Sequence, residues 1–478
     1  MRAALANMGG APPVRRAAFG AAWAGAAVLF GFVYAYMAFN FSPLVLPVLA
    51  VGVGLAIVTV TRPEVGIAAA LVLSPLQSIG GGGGVVKLFL LAWSVFLFTL
   101  ALLNSRHRPA GKRMPFLVTA VLLYLAMAVV AFALASDPTE ARRLLRTLVT
   151  GLLLFGTTAV TVRTRSQVGW ILGGATIAAL LVGGLATTDY LRGTGSTGGF
   201  LTDSGEVVSR VTAGFAHPNQ LGGFLVLLVP MSLAGMVLYR KMRWIHAAAV
   251  ALAIGGIYAS FSRGALIGLA LVPFVFLRGR RTLVIVPVLA LLVSVAAPNL
   301  LAERFATLTT SGGEASSRLD IWHSAVSIWQ THPIAGVGLG SFPQAYASAR
   351  IPGKAFLPQT IFEPPPHAHN LFFHTLAEEG LVGLLVLIGL LVLAGRTAWR
   401  MRRRNDRWSS VMGAGMLAAL VAFVVHNFFD VTLFDGSTAF YFWTLLGLIC
   451  ALPRVEGDPE NAPEPDAAPS GELVPAPG

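Results

Sequence analysis

Charge is scarce in this chain. Only 12% of its 478 residues are Asp, Glu, Lys or Arg, against about 25% in an ordinary soluble domain. With 55% hydrophobic residues and a mean hydropathy of +0.74, the chain has too little polar surface to cover a soluble globule. Cysteine is nearly absent. Cys450 stands alone inside an apolar run, which excludes an internal disulfide and a cysteine-based zinc site and reads as a small buried hydrophobe. The alternating segments of about 10 residues that build a membrane β-barrel are missing. So are internal repeats and a phosphate loop, because the glycines of "SIGGGGG" (78–84) are not followed by Lys-Ser/Thr.

What is present is a series of long apolar runs. They lie at about 17–38, 43–61, 65–78, 86–104, 115–135, 144–162, 168–187, 219–239, 244–260, 264–277, 282–298, 371–395, 410–428 and 437–452. Most are long enough to cross a hydrocarbon core of about 30 Å as a helix. The run at 17–38 follows Arg15 and Arg16 and is read as a retained first helix, not a signal peptide, since it is long and another run follows at once. The run at 65–78 is short and suits a re-entrant segment. The expected fold is all-α, a polytopic membrane protein of about 12–14 helices. Residues 1–298 form its N-terminal helices, 299–370 a large extracytoplasmic loop, 371–453 the C-terminal helices, and 454–478 a Pro- and Ala-rich acidic tail without a core.

The net charge of +13 invites a nucleic-acid reading, but its distribution favours a membrane. With Arg15 and Arg16 in the cytoplasm, strict alternation places "RPE", "SRHRPAGKR", "RTRSQ", "RKMR", "RGRR" and "RTAWRMRRRNDR" inside, most of them dense in Arg and Lys, as the positive-inside rule requires. Both termini are then cytoplasmic. One connection disagrees: "SDPTEARRLLR" (136–146) falls outside yet carries Arg142, Arg143 and Arg146. Either the count slips there or those arginines meet lipid or pyrophosphate phosphates.

The same alternation gathers four polar stretches on the outer face: "SRVTAGFAHPNQLGG" (209–223), "SFSRGALIG" (260–268), "SSRLDIWHSAVSIWQTHPIAGVGLGSF" (316–342) and "PPPHAHNLFFHTLAEEG" (364–380). Arg263, between two runs that nearly fuse, is either a headgroup anchor or a phosphate clamp, since a guanidinium at membrane depth needs a partner or a wet cavity. Arg210 carries the same ambiguity, and Asn219 either caps a helix or lines a site. Arg318 begins an amphipathic surface helix with Leu319, Ile321, Trp322 and Val326 on its apolar face. "IAGVGLGSF" reads as a close-packing glycine loop. In the last stretch, Pro364, Pro365 and Pro366 enforce an extended lead-in and Asn370 caps the run that starts at Leu371. His369 then sits at the positive end of a helix dipole, which keeps an imidazole neutral, as a general base requires. His367 and His369 at i, i+2 form at most a partial metal site, because no third ligand has a convincing spacing. His374 reads as a packed interface residue. Glu378 lies on the Asn370 face, while Glu379 points elsewhere and is solvated or paired.

Taken in order, "RVTAGFAHPNQLG", "SFSRGALIG", "SSRLDIWHSAVSIWQTHPIAGVGLGSF" and "HAHNLFFHTLAEEGLVG" resemble the O-antigen ligase and polymerase family of bacterial membrane glycosyltransferases. The resemblance implies a GT-C-like helical fold in the inner membrane with its site on the periplasmic face. It implies a glycan donor on undecaprenyl pyrophosphate and an acceptor hydroxyl on a lipid A core sugar, a growing glycan or a protein. Chemistry would be metal-independent and without a cofactor. Arg210, Arg263 and Arg318 take the place of the family's pyrophosphate-binding arginines and His369 that of its loop histidine, with His367 as a less certain second. Asn219, Asn370 and Glu378 are the supporting positions. Direct attack by the acceptor hydroxyl implies inversion at the anomeric carbon. Ligase, polymerase and protein glycosylation remain open within the family. A membrane anion transporter is the rival from another class, disfavoured because such proteins place ionisable groups at mid-bilayer or on interrupted helices. Membrane lipids, not nucleic acid, are the expected surroundings.

Overall fold

The structure, a computed structural model, describes residues 45–78, 83–105, 115–201, 207–277, 314–349 and 367–455. The runs at 17–38 and 282–298, the prolines at 364–366 and the tail beyond 455 lie outside the described residues, as do the basic segments 106–114 and 278–281. The other twelve apolar runs are all helical. In chain order the helices are α1 (Val45–Thr61), α2 (Pro63–Leu73), α3 (Gly83–Ser105), α4 (Pro115–Ala133), α5 (Pro138–Thr161), α6 (Arg165–Arg192), α7 (Pro218–Leu238), α8 (Arg243–Ser260), α9 (Arg263–Phe276), α10 (Glu314–Thr331), α11 (Phe342–Ala349), α12 (Leu371–Arg402), α13 (Arg407–Asn427) and α14 (Gly436–Ala451). Nine of the described helices are long and apolar enough to cross a membrane. The short run at 65–78 is an 11-residue helix ending in a 3₁₀ turn, Ser74–Gln77.

One departure from an all-helical chain is a hairpin, β1 (Ser196–Leu201) with β2 (Val207–Val211), antiparallel with Gly199 opposite Ser209. It lies in the connection before α7. "STGGF" and "VVSRV" have the β-branched and small residues that a short strand needs, but neither is long enough to stand out beside the helical runs.

The helices differ in what surrounds them. α14 is apolar on every side, and 89% of its segment is buried, with Tyr441, Phe442 and Trp443 fully enclosed. α4 is the more hydrophobic of the two yet only 33% buried, with Leu122 and Leu123 on the surface. An outward apolar face on so hydrophobic a helix is a face for lipid. Small residues allow the close approaches: Gly151 of α5 lies under the Trp443 indole, and Gly447 of α14 packs on the Phe155 carbonyl and Thr158.

Capping shows how the ends are built. At one end Thr164 and Gln167 form a reciprocal capping box on α6, and Asp406 caps α13 by accepting from the Ser409 N–H. Arg165 lies 3.8 Å from Asp406 there, and Tyr239 Oη donates to the Arg165 carbonyl at 2.8 Å. The N-termini of α5, α7, α9, α12 and α14 meet at the opposite end. The connection 136–146 belongs to that second end, because the Ser136 N–H donates to Ser341 Oγ at 2.9 Å and the Leu339 N–H to the Ala131 carbonyl at 2.8 Å. The count therefore does not slip at Arg142, Arg143 and Arg146.

Candidate functional site

The site is assembled where four chain turns meet. Asn370 is the N-cap of α12, as its place in the sequence implies. Its Oδ1 accepts from the N–H groups of Phe372 and Phe373 at 2.9 and 3.1 Å, and its Nδ2 donates to the Phe428 carbonyl at 2.9 Å. One residue earlier His369 has φ of 48°, in the left-handed region that side chains other than glycine seldom occupy. Ala213 and Phe261, in the turns that precede α7 and α9, also have positive φ. Three such residues in the turns of one site mark backbone held off its preferred geometry by the surrounding packing.

Asp430 is the residue that sequence reasoning missed. It sits at the turn after α13, 4% exposed, and its Oδ1 lies 3.5 Å from His369 Nδ1 and 3.7 Å from His367 Nε2. The same oxygen accepts from the Val431 N–H at 2.9 Å, which fixes its direction. Burial opposes a charge on Asp430, but the contact with His369 and the neighbouring His367 and His426 hold its carboxyl well below the ordinary value. The sequence offered one signal, a lone acid between "HNFF" and "VTLF" at the outer end of an apolar run, where an unpaired carboxylate is costly.

His367 Nδ1 accepts from the His369 N–H at 3.3 Å, so its proton belongs on Nε2, toward Asp430. Burial first, then the charges of His369, His217 and Arg318, push its pKa down to about 3, against the opposing pull of Asp430. The rings of His367 and His369 meet edge to face, 4.4 Å between centroids.

These three side chains also bring their ligand atoms within 4.8 Å of one another. The third ligand that spacing alone did not supply is therefore present, contributed by a residue 61 positions after His369. A His-His-Asp donor set fits zinc or another first-row divalent ion. Spacing along the chain gave His367 and His369 no third ligand; Asp430 stands in that place in space.

Arg318 reaches the same place from α10. It is partly buried, and its Nη1 donates to the Phe429 carbonyl at 3.0 Å. One turn further on α10, Trp322 Nε1 donates to the Ala368 carbonyl at 3.1 Å, and its ring stacks on Phe373 at 5.5 Å. The apolar face predicted for this helix thus grips the His367–Asn370 turn.

Arg263 is the first residue of α9 and is 7% exposed. The backbone beside it packs on the end of α13, since a Cβ on Gly264 would lie 3.2 Å from both His426 Nδ1 and Phe429 Cβ. His426 is itself enclosed, with neither ring nitrogen hydrogen-bonded to a described residue.

Arg210, on β2, is committed in part to the framework. Its Nε donates to the Ser260 carbonyl at 3.0 Å and its Nη2 to Asn219 Oδ1 at 2.7 Å. Two of its five N–H groups thereby tie the hairpin to α7 and α8. Asn219 is not the N-cap of α7. That position is His217, whose Nδ1 accepts from the Asn219 N–H at 3.1 Å, while Asn219 lies inside the first turn and holds Arg210.

Glu378 supports the site from below. Its carboxylate accepts from the Gly340 N–H at 2.7 Å and the Phe342 N–H at 2.9 Å, and lies 3.5 Å from His374 Nε2. The "IAGVGLGSF" loop packs against a break in α12 at Gly380, where φ is 71°. A Cβ on Gly380 would fall 2.2 Å from the Ile334 carbonyl oxygen, and one on Gly336, at φ 73°, would fall 2.3 Å from the Glu378 backbone. Only glycine permits that approach. His374 is buried between Phe342 and Phe434, as an interface residue should be. Glu379 is buried too and accepts from Tyr124 Oη at 3.4 Å.

Chemically, the turn offers an imidazole backed by a carboxylate, with guanidinium groups nearby in a low-dielectric setting. No curated protein matches the chain. Arg263, Arg318, His367, His369, Asn370 and Glu378 fall inside a stretch that matches a known family, whereas Arg210, Asn219 and Asp430 lie outside it. That stretch, residues 248–388, matches the family model described as O-Antigen ligase, and the match supports the O-antigen ligase/polymerase family.

Proposed function

We propose that this protein transfers a glycan from undecaprenyl pyrophosphate to an acceptor hydroxyl on a lipid A core sugar, at the periplasmic face of the inner membrane, with both termini cytoplasmic. The observation that carries the reading is the placement of Asp430 behind His369, with Arg318 bound to the Phe429 carbonyl next to Asp430. The family-model match supports an O-antigen ligase/polymerase-type activity in general. Donor, acceptor and residue roles are the further step.

His369 is the general base. Its Nδ1 faces Asp430, so the proton belongs there and Nε2 is left to take the acceptor's proton. Both nitrogens of His367 are engaged, one by the His369 N–H and the other toward Asp430, which makes it a support and not the base. As the hydroxyl attacks the anomeric carbon, the glycosidic C–O bond to pyrophosphate breaks and the configuration inverts. Negative charge grows on the leaving pyrophosphate. Arg263 and Arg318 stabilise it from a site of low dielectric. Arg210, braced through Asn219, is the third guanidinium assigned to the leaving group. Glu378 acts indirectly by holding the glycine loop.

Purified protein, given undecaprenyl-pyrophosphate glycan and a core-sugar acceptor without added metal, should form the inverted product. His369→Ala should not. Retention of the anomeric configuration, or a near-normal rate in His369→Ala, would sink the proposal.

A second reading has its own observation, the three ligand atoms of His367, His369 and Asp430. If a divalent ion is needed, EDTA-treated protein will be inactive and zinc will restore it. Full activity after EDTA treatment removes that reading. Polymerase and protein-glycosylating activities use the same chemistry and are separated by offering each acceptor in turn.

A further inference from the structure

Asp430 Oδ1 stands 3.5 Å from His369 Nδ1 and 3.7 Å from His367 Nε2. Both separations exceed the roughly 2.7–3.2 Å of a well-formed N–H···O hydrogen bond. His369 Nδ1 is buried without such a bond to any described residue. The separations match a different geometry. Ligand atoms about 2.1 Å from a tetrahedral zinc ion stand roughly 3.4 Å from one another. All three candidate ligand atoms lie within 4.8 Å of each other, so small side-chain shifts complete the set.

The backbone that carries them is already fixed. Trp322 Nε1 holds the Ala368 carbonyl between the two histidines at 3.1 Å. Asn370 Nδ2 ties that turn to the Phe428 carbonyl at 2.9 Å, and the Val431 N–H holds Asp430 at 2.9 Å. Two effects oppose an ion. To offer Nε2, His367 must carry its proton on Nδ1, which gives up the bond from the His369 N–H. Arg318, bound to the Phe429 carbonyl beside Asp430, repels a cation. With three protein ligands and these costs, binding is reversible and weaker than in a closed structural site.

We propose that His367, His369 and Asp430 form an inhibitory site for a first-row divalent cation, zinc foremost. The inhibition rests on the reading of His369 as the general base. A metal on His369 Nδ1 leaves the one proton of the neutral ring on Nε2. Nε2 is the atom that must take the acceptor's proton, so the metallated ring has no lone pair to use. The ion then stops transfer, the opposite of what a required metal would do on the same ligands.

Full-length protein purified without a histidine tag and treated with EDTA tests this by binding and by rate. Calorimetry without donor or acceptor should show a single zinc ion bound. Cobalt should give the visible absorption of a four-coordinate site, which zinc abolishes. Single-turnover transfer should fall over the same zinc concentrations and return with EDTA. His367→Gln and Asp430→Asn, each compared with its own zinc-free rate, should need at least about tenfold more zinc for both effects. Asp430→Asn can still accept from the Val431 N–H, so its loss of zinc is not a collapsed turn. Absence of a bound ion overturns the inference and leaves His369 as the base. Zinc that binds but leaves transfer unchanged overturns the inhibition and counts against His369 as the base. Zinc that revives EDTA-treated protein overturns it in favour of a required metal. Equal inhibition of wild type and His367→Gln also overturns it, the zinc then acting on the donor pyrophosphate.

Discussion

Arginine is plentiful at both ends of the helix bundle but is held differently at each. At the end formed by α6, α8, α12 and α13, the guanidinium groups lie over indoles: Arg165 is 5.2 Å from the Trp408 ring, Arg243 is 4.7 Å from Trp244 and Arg402 is 5.1 Å from Trp399. Arg165 is 40% exposed beside its partner Asp406. At the other end Arg210 and Arg263 are each 7% exposed and lie among turns with strained backbone. An anchoring arginine needs an interface and an aromatic plane. One that recognises phosphate needs a place where its charge is poorly screened. Burial, more than the count of arginines, separates the two.

The sharpest way to test the contrast is to change the histidine turn without disturbing its backbone. His369→Asn suits this, because asparagine tolerates the left-handed conformation that His369 adopts. Removal of the base should cost about 10²–10⁴ in the rate of transfer, read as single-turnover formation of labelled product. Asp430→Asn should cost less, about 10- to 100-fold. Asparagine can still accept from the Val431 N–H, so the turn survives while the charge behind His369 is lost. A positioning role predicts a lower kcat at nearly unchanged donor KM. If Asp430→Asn leaves kcat intact, the carboxylate only caps its turn.

Much of the fold was legible in the chain because membrane helices announce themselves by length and apolarity. All twelve apolar runs within the described residues are helices, and the caps at Asn370 and the glycine loop were readable from local chemistry. The site was only half legible. His369, Asn370 and Arg318 stand in polar stretches that interrupt the apolar pattern, so their grouping could be inferred. Asp430 could not be paired with them, since the contact is made through α12 and α13 and leaves no local spacing. Asn219 failed differently. Residue type favoured it as a cap, but Pro218 occupies the first helical position, so the cap falls to His217. The hairpin was overlooked because six residues of strand carry little periodic signal.

Acidification should weaken the site end. His367 has an ordinary pKa of 6.5, lowered to about 3 by burial. Between those values the unfolded chain binds a proton that the folded protein refuses. Stability from this residue is therefore full above about pH 6.5 and falls as the pH drops toward 3. Asp430, depressed by its imidazole neighbours, acts in the same direction at lower pH. Thermal melts in detergent should show a lower Tm at pH 5 than at pH 7.5. His367→Asn should reduce that difference, and an unchanged difference would assign the loss to other groups.

The smallest effect is expected at the opposite end. Arg165 and Asp406 are 3.8 Å apart and both about two-fifths exposed, so solvent and salt screen the pair to within about 0–1 kcal/mol. The structure gives each residue a second role: Arg165 lies over Trp408, and Asp406 caps α13 through the Ser409 N–H at 2.8 Å. Asp406→Asn keeps the cap and removes the charge. It should leave transfer unchanged and shift the melting curve only slightly, with the shift vanishing at high salt. A large loss of activity in Asp406→Asn would mean that the two ends are coupled through α12 and α13. The division between anchoring and recognising arginines would then be too simple.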